Sequence, residues 1–325
     1  MMYLKKIVYT FFLVGVCLCF SSCGTLEKTD FTYENTKTNY GYTALFDPTM
    51  SSDLCVVPLD QKDDTDSTMT AESSLIFDTT DQTILYQNNV YEQLYPASIT
   101  KLMTAYVTFK YANLDDIVTF SYNASHITES GAKLCGFQEG DQVKLSNLLC
   151  ALLVYSGNDA GVAIAEHVSG SVEAFADLMN KEARTLGATG SHFVNPHGLH
   201  DKNHYTTTYD IYLILNELIK NDDFVQMIHS SQVLVPYQDK NGNQFSDTFS
   251  TTNQYLLGTT KSPNDVTVIG GKTGTTSKAG SCLAIYSQGE NGHFYISIIF
   301  KAENKQSLYN QMTQLLHLIT KENME

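Results

Sequence analysis

Apolar and polar residues along the chain fall into three patterns. Two short apolar runs flank a Thr-Thr-Asp turn in SSLIFDTTDQTILYQN (73–88), which predicts a β-hairpin. Apolar side chains then recur at helical spacing over 98–112, and again in LSNLLCALLVY (145–155) and AGVAIAEHV (160–168), the last two broken at Ser-Gly-Asn-Asp. Residues 171–186 and 208–220 predict two more helices. Near the end, VTVIGG (266–271), SCLAIYS (281–287) and HFYISIIF (293–300) predict a three-strand meander whose last turn is Glu290-Asn291-Gly292. An amphipathic helix, Ser307 to Lys321, follows. Strands at both ends with helices between predict an α/β (α+β) fold: an antiparallel sheet built from both chain ends, flanked by helices, with a mostly helical subdomain inserted. No internal repeat is present.

The first seventy residues read differently. Lys5 and Lys6 precede an apolar stretch from Ile7 to Phe20, the length of an export signal and short for a bilayer span. Ser21-Ser22 before Cys23 resembles the lipobox of bacterial lipoproteins, with Phe20 departing from the usual leucine-like residue, so Cys23 is the expected lipidation site. From Gly24 to Thr70 the chain is rich in Thr, Asp, Ser and Asn, with LCVVPL (54–59) the main apolar cluster, and reads as a polar tether. The expected organisation is therefore a signal over 1–23, a tether over 24–70 and one catalytic domain over 71–325. Its place is the extracytoplasmic face of a bacterial membrane, held by a lipid anchor.

Composition narrows the chemistry. Twenty Lys and Arg against 35 Asp and Glu give a formal charge of −15, which repels nucleic acid and excludes it as a partner. Arg184 is the only arginine, so anions elsewhere must be met by lysine, hydroxyls or backbone N–H groups. Cys17, Cys19 and Cys23 lie in the leader; Cys55, Cys135, Cys150 and Cys282 are widely spaced and form neither a zinc motif nor a disulfide framework. Cys150, within an apolar run, reads as a small buried hydrophobe.

Three strings carry candidate chemistry. Ser98-Ile99-Thr100-Lys101 is an S-x-x-K just after Pro96-Ala97, where the chain enters a helix. Lys101, one turn after Ser98, can bring its amine to the serine hydroxyl, and burial or a second cation would lower its pKa enough for it to act as a base. The string alone is weak, since roughly one or two matches are expected by chance. Indeed Ser130-Gly131-Ala132-Lys133 also fits, but lies among glycines with no helical periodicity after it and reads as a decoy. Ser156-Gly157-Asn158 is an S-x-N between two apolar helices; Ser121-Tyr122-Asn123 and Ser262-Pro263-Asn264 match too, without those flanking helices. Lys272-Thr273-Gly274 occurs once, at a strand end after Gly270-Gly271. It offers a positive charge, backbone N–H groups and, with Thr275, two hydroxyls suited to a carboxylate.

In this order the three strings form the signature set of class A β-lactamases and penicillin-binding proteins. With PASITKLMTAYV (96–107), LLVYSGNDAGVAIAEHVSGS (152–171), FVNPHGLHDKNHYTT (193–207) and GGKTGTTSKAGSCL (270–283), the chain resembles the serine-type D-alanyl-D-alanine carboxypeptidases, the low-molecular-weight penicillin-binding proteins, over about residues 72–320. The resemblance implies their serine β-lactamase and penicillin-binding-protein fold. It implies Ser98 as acylated nucleophile, Lys101 as its base, Ser156 as proton relay helped by Lys272, and Asn158 on the substrate backbone. Thr273 and Thr275 would bind the terminal carboxylate, with Gly274 between them in the substrate-binding strand, and the N–H groups of Ser98 and Thr275 would form the oxyanion hole. The implied partners are peptidoglycan stems ending in D-Ala-D-Ala and β-lactams as covalent inhibitors, with no metal or cofactor.

Two departures stand out. Relatives often place an arginine after K-T-G to grip the substrate carboxylate; here only Lys278, Lys301 or Lys305 could substitute, without a bidentate fork. Many relatives also carry a further C-terminal β-rich domain, which is not expected here. Three other readings compete. A class A β-lactamase needs an E-x-x-L-N loop about thirty-five residues after Ser156, where this chain has His192, Phe193 and Asn195-Pro196-His197-Gly198-Leu199. A zinc hydrolase is suggested by His192, His197, His200 and His204, but there is no H-E-x-x-H, and the family pattern places His197 and His204-Tyr205 in a structural loop. A non-catalytic protein with the same fold would not need every motif serine and lysine.

Overall fold

In the computed structural model, which describes Val57 and residues 68–322, the hairpin and the meander join in one five-stranded antiparallel sheet. Its strands are β1 (Ser73–Asp78), β2 (Thr83–Asn88), β7 (Val266–Thr276), β8 (Gly280–Gly289) and β9 (Phe294–Ala302), in the order β2-β1-β9-β8-β7. The expected export signal, Cys23 and nearly all of the tether lie outside the described residues. Val57 is buried, and its carbonyl accepts from the Tyr91 hydroxyl at 2.7 Å.

Both faces of this sheet are covered, which is why its strands read as nearly unbroken apolar runs. On β9 the side chains alternate: Ile296, Ile298 and Phe300 enter one hydrophobic cluster, Tyr295 and Ile299 the other. The second cluster is closed by the last helix, α8 (Lys305–Glu322), through Leu308, Tyr309, Met312, Leu315, Leu316 and Ile319. Thr68 and Thr70 lie against the same helix, accepting from the side-chain amides of Gln314 and Gln311. The first cluster contains the helices of the chain's middle: α1 (Thr100–Tyr111), α3 (Leu145–Cys150), α4 (Asn158–Ser169), α5 (Val172–Thr185), α6 (Thr208–Leu218) and α7 (Asp222–His229). Ser171, Thr207 and Asn221 cap α5, α6 and α7 by accepting from the backbone three residues on.

The inserted region is less purely helical than its sequence predicts. It holds a second antiparallel sheet, β3 (Ile117–Thr119), β4 (Gln142–Lys144), β5 (Gln232–Gln238) and β6 (Gln244–Ser250), beside the short helix α2 (Tyr122–Ser125). β3 and β4 are three residues long and bury one side chain each, Val118 and Val143. Among the described residues no helix is long and apolar enough to cross a membrane.

Candidate active site

Three elements bring the motif residues together. Ser98 sits in a single 3-10 turn, Ala97–Ile99, that feeds α1, so Lys101 lies one turn deeper in the same helix. The turn opens with Ala97 in the left-handed region (φ 47°), and Gly198 (φ 85°) packs so tightly on it that a Cβ there would overlap the Ala97 carbonyl. The loop carrying Gly198 is closed by Asn195, whose Oδ1 accepts from the N–H groups of His197 (3.2 Å) and Gly198 (2.7 Å). It is bonded to one face of α1: Thr104 donates to the Pro196 carbonyl at 2.6 Å, and Thr100 Oγ1 lies 2.8 Å from His204 Nε2.

The S-x-N string is presented by an irregular backbone. After α3 the helix widens into a π-turn, Ala151–Tyr155, and Ser156 follows with φ 76°, a left-handed conformation that costs a non-glycine residue about 1 kcal/mol or more. Asp159 holds this turn in place by accepting from the N–H groups of Cys135 and Gly136, each at 2.9 Å. The N–H of Asn158 donates to the Lys133 carbonyl at 2.7 Å. Nothing in the local pattern marks Asp159, or the N–H groups of Cys135 and Gly136, as part of this unit.

The K-T-G string lies on β7, an edge strand of the five-stranded sheet, which leaves one row of its backbone groups without a strand partner. Gly274 lets that edge reach the nucleophile turn: a Cβ there would come within 2.9 Å of the Pro96 carbonyl and 3.0 Å of the Ser98 nitrogen. Ser98, Ser156, Asn158, Thr273, Gly274 and Thr275 all line one cleft of about 290 Å³, together with Lys133, Gly198, Leu199, Thr252 and Lys305.

Two hydroxyl–amine pairs meet there. Lys101 Nζ is 2.9 Å from Ser98 Oγ and donates to Asn158 Oδ1 (2.8 Å) and the His197 carbonyl (2.7 Å). Lys272 Nζ is 2.9 Å from Ser156 Oγ and donates to the Thr273 carbonyl at 3.0 Å. Both lysines are buried, at 0% and 1% exposure, with no acidic ion-pair partner among the described residues. Burial pushes the Lys101 amine well below the usual lysine range, and nearby Lys272 pushes it further; burial and then Lys133 bring Lys272 down to about 7. Neutral Lys101 has two N–H bonds for two fixed carbonyl oxygens and a lone pair left for the Ser98 hydroxyl proton.

All eight motif residues expected from the sequence lie at this cleft, Lys101 and Lys272 through their hydrogen bonds to its lining serines. Of the three lysines considered for the missing arginine, Lys305 lines it, whereas Lys301 pairs with Glu72 at 2.5 Å and Lys278 is exposed on the turn after β7. Of the second S-x-x-K string, Ser130 is not part of the cleft wall, whereas Gly131 and Lys133 are. Thr252, which no motif marked, also lines the cleft, its hydroxyl 2.5 Å from that of Thr273. The histidines brace the loop: His204 uses both ring nitrogens, accepting at Nδ1 from the Val194 N–H and meeting Thr100 at Nε2, and burial lowers its pKa to about 3.

A family model described as D-alanyl-D-alanine carboxypeptidase matches residues 60–304. The chain belongs to the D-alanyl-D-alanine carboxypeptidase family. Among members of that family, it is 30% identical to the D-alanyl-D-alanine carboxypeptidase DacC of Escherichia coli over 76% of this chain and 60% of the relative. It is 28% identical to DacF of Bacillus subtilis, over 76% of this chain and 61% of the relative. The chain thus spans about three fifths of the length of these curated relatives. Among solved structures, a DD-transpeptidase of Streptomyces superposes with a TM-score of 0.71 at 25% identity, covering 77% of this chain and 97% of that one.

The buried lysines make a stability prediction for this family member. Lys272 titrates lower in the folded chain than in the unfolded one, so between about 7 and the usual lysine range the unfolded state binds more protons. Burying this amine is therefore a penalty that is largest near pH 7 and shrinks as pH rises toward the usual lysine range. Lys272→Met removes it: the Tm gain of Lys272→Met over the unaltered protein is expected to be larger at pH 7.5 than at pH 9.5. An equal gain at both would contradict a neutral buried amine.

Proposed function

We propose that the protein is a serine-type D-alanyl-D-alanine carboxypeptidase that removes the terminal D-Ala from peptidoglycan stems through an acyl-enzyme on Ser98. The observation that carries this reading is the convergence of the Ser98–Lys101 and Ser156–Lys272 pairs beside the free edge of β7. Lys101 takes the Ser98 proton as Oγ attacks the carbonyl between the two D-Ala residues. The N–H groups of Ser98 and Thr275 receive the oxyanion. Ser156, polarised by Lys272, passes a proton to the departing amine, and Asn158 holds the acyl half of the peptide. Water then hydrolyses the ester and restores Ser98. Thr273 and Thr275 bind the terminal carboxylate, with Lys305 and Thr252, both on the cleft lining, taking the part of the missing arginine.

Penicillin acylates the same hydroxyl. No Asp or Glu is among the residues that line the cleft, so nothing there activates a deacylating water in the manner of a class A β-lactamase, and the adduct is long-lived. On this reading residues 71–325 form the catalytic domain, 24–70 tether it, and 1–23 export it, with Cys23 acylated at the outer face of the membrane.

The test is incubation of the protein with a D-Ala-D-Ala pentapeptide in EDTA, with mass analysis of products and of a penicillin adduct. Release of one D-alanine and a stable adduct on the Ser98 peptide, absent in Ser98→Ala, are expected. Zinc-dependent turnover, or labelling that persists in Ser98→Ala, would overturn the reading.

A further inference from the structure

Two of the four lysines at the cleft take no part in proton transfer. Lys305 is exposed in the first turn of α8. Lys133 is half-buried, its ammonium 3.8 Å from the centre of the Tyr155 ring. Neither has an acidic ion-pair partner among the described residues, although acids outnumber bases 35 to 20 in this chain. A partly desolvated ammonium left without an anion is unfavourable in a free cleft and becomes favourable when a ligand supplies one.

Lys133 is also held in register with the catalytic groups. Its carbonyl accepts the Asn158 N–H, and the N–H groups of Cys135 and Gly136, two and three residues on, are bound by Asp159, so Lys133 and Asn158 belong to one hydrogen-bonded unit. In the mechanism above, Asn158 faces the acyl half of the substrate, whereas the terminal carboxylate lies by Thr273, Thr275 and Lys305. Resting on that carboxypeptidase reading, we infer that Lys133 is a specificity-determining residue: it takes a second carboxylate of the peptide, borne by a side chain upstream of D-Ala-D-Ala. The substrate class is thus a stem whose upstream residue keeps its carboxylate free. An amidated stem leaves Lys133 unpaired.

The test compares two synthetic peptides that differ only in the residue before D-Ala-D-Ala, glutamate in one and glutamine in the other. The unaltered protein is expected to favour the acidic peptide by about tenfold in kcat/KM, the scale of one charge-assisted hydrogen bond, and the preference should shrink with added salt. Lys133→Met is expected to bring the ratio to about one, while Lys133→Arg retains it. Each ratio is taken within one preparation, so partial misfolding of a variant cancels. A ratio near one in the unaltered protein with both peptides turned over, or an undiminished ratio in Lys133→Met, would overturn the assignment alone. Release of D-alanine from neither peptide would overturn the carboxypeptidase reading together with it.

Discussion

Lys101→Arg is expected to slow both penicillin acylation and D-alanine release by about 10²- to 10⁴-fold, the range in which a positioned general base contributes. The substitution keeps a cation at the end of a long chain. It removes the one property the site has built for Lys101, an amine that can be neutral at working pH. A guanidinium stays protonated and has no lone pair to accept the Ser98 proton. Lys101→Met, neutral and unable to accept a proton, is expected to be equally inactive. In the unaltered protein, acylation is expected to fall as pH drops through the depressed pKa of Lys101, because protonation removes the base, with no further gain as pH rises into the usual lysine range. The measurement is the rate of adduct formation by mass spectrometry across pH, with circular dichroism to verify folding. Activity within tenfold of normal in either variant would mean that another group takes the proton.

Gly198→Ala is expected to cost at least about 2 kcal/mol, combining a left-handed backbone with steric overlap at a buried carbonyl. For a body of this size that is a fall in Tm of about 4–8 °C. Acylation is expected to suffer as well. The carbonyl in the way belongs to Ala97, next to Ser98, and the residue before Gly198 supplies the carbonyl that binds Lys101. An unchanged Tm would show that the loop can move away from the nucleophile turn, and would remove Gly198 from the account of how Ser98 is positioned. Gly170, also at positive φ but with open space about its Cβ position, is the control: alanine there meets only the backbone penalty.

The hairpin, the meander and the main helices were legible because each carries an apolar run long enough to express its period. β3 and β4 are too short to have one, and in β6 the residues Gln244 to Thr248 are exposed, so no burial pattern marks them as strand. The site was legible wherever chemistry dictates residue type at fixed spacing, as with Ser98 and Lys101 on successive turns. It was illegible where tertiary folding supplies the partner. Asp159 is an unremarkable acid until Cys135 and Gly136 are brought to it, and Thr252 an ordinary threonine until β7 passes alongside. Lys133 was passed over because its string was tested only as a nucleophile motif, whereas it is Gly131 and Lys133, without Ser130, that line the cleft. Nor could spacing separate Lys278, Lys301 and Lys305; of the three, Lys305 lines the cleft and Lys301 pairs with Glu72.

The sheet order β2-β1-β9-β8-β7 sets the first hairpin of the domain against the last strand of the chain, more than two hundred residues later, and places β7 only through β8 and β9. Every motif residue precedes Thr276, yet the wall that faces Ser98 cannot stand until residues to Ala302 have been added to the sheet. Synthesised from its N-terminus, the chain carries Ser98 and Lys101 early, before the strand edge that faces them is in place. Assembly of the cleft is therefore expected to be a late step, set by the pairing of β1 with β9, and on the proposed function a polypeptide that stops before β9 should take up no penicillin.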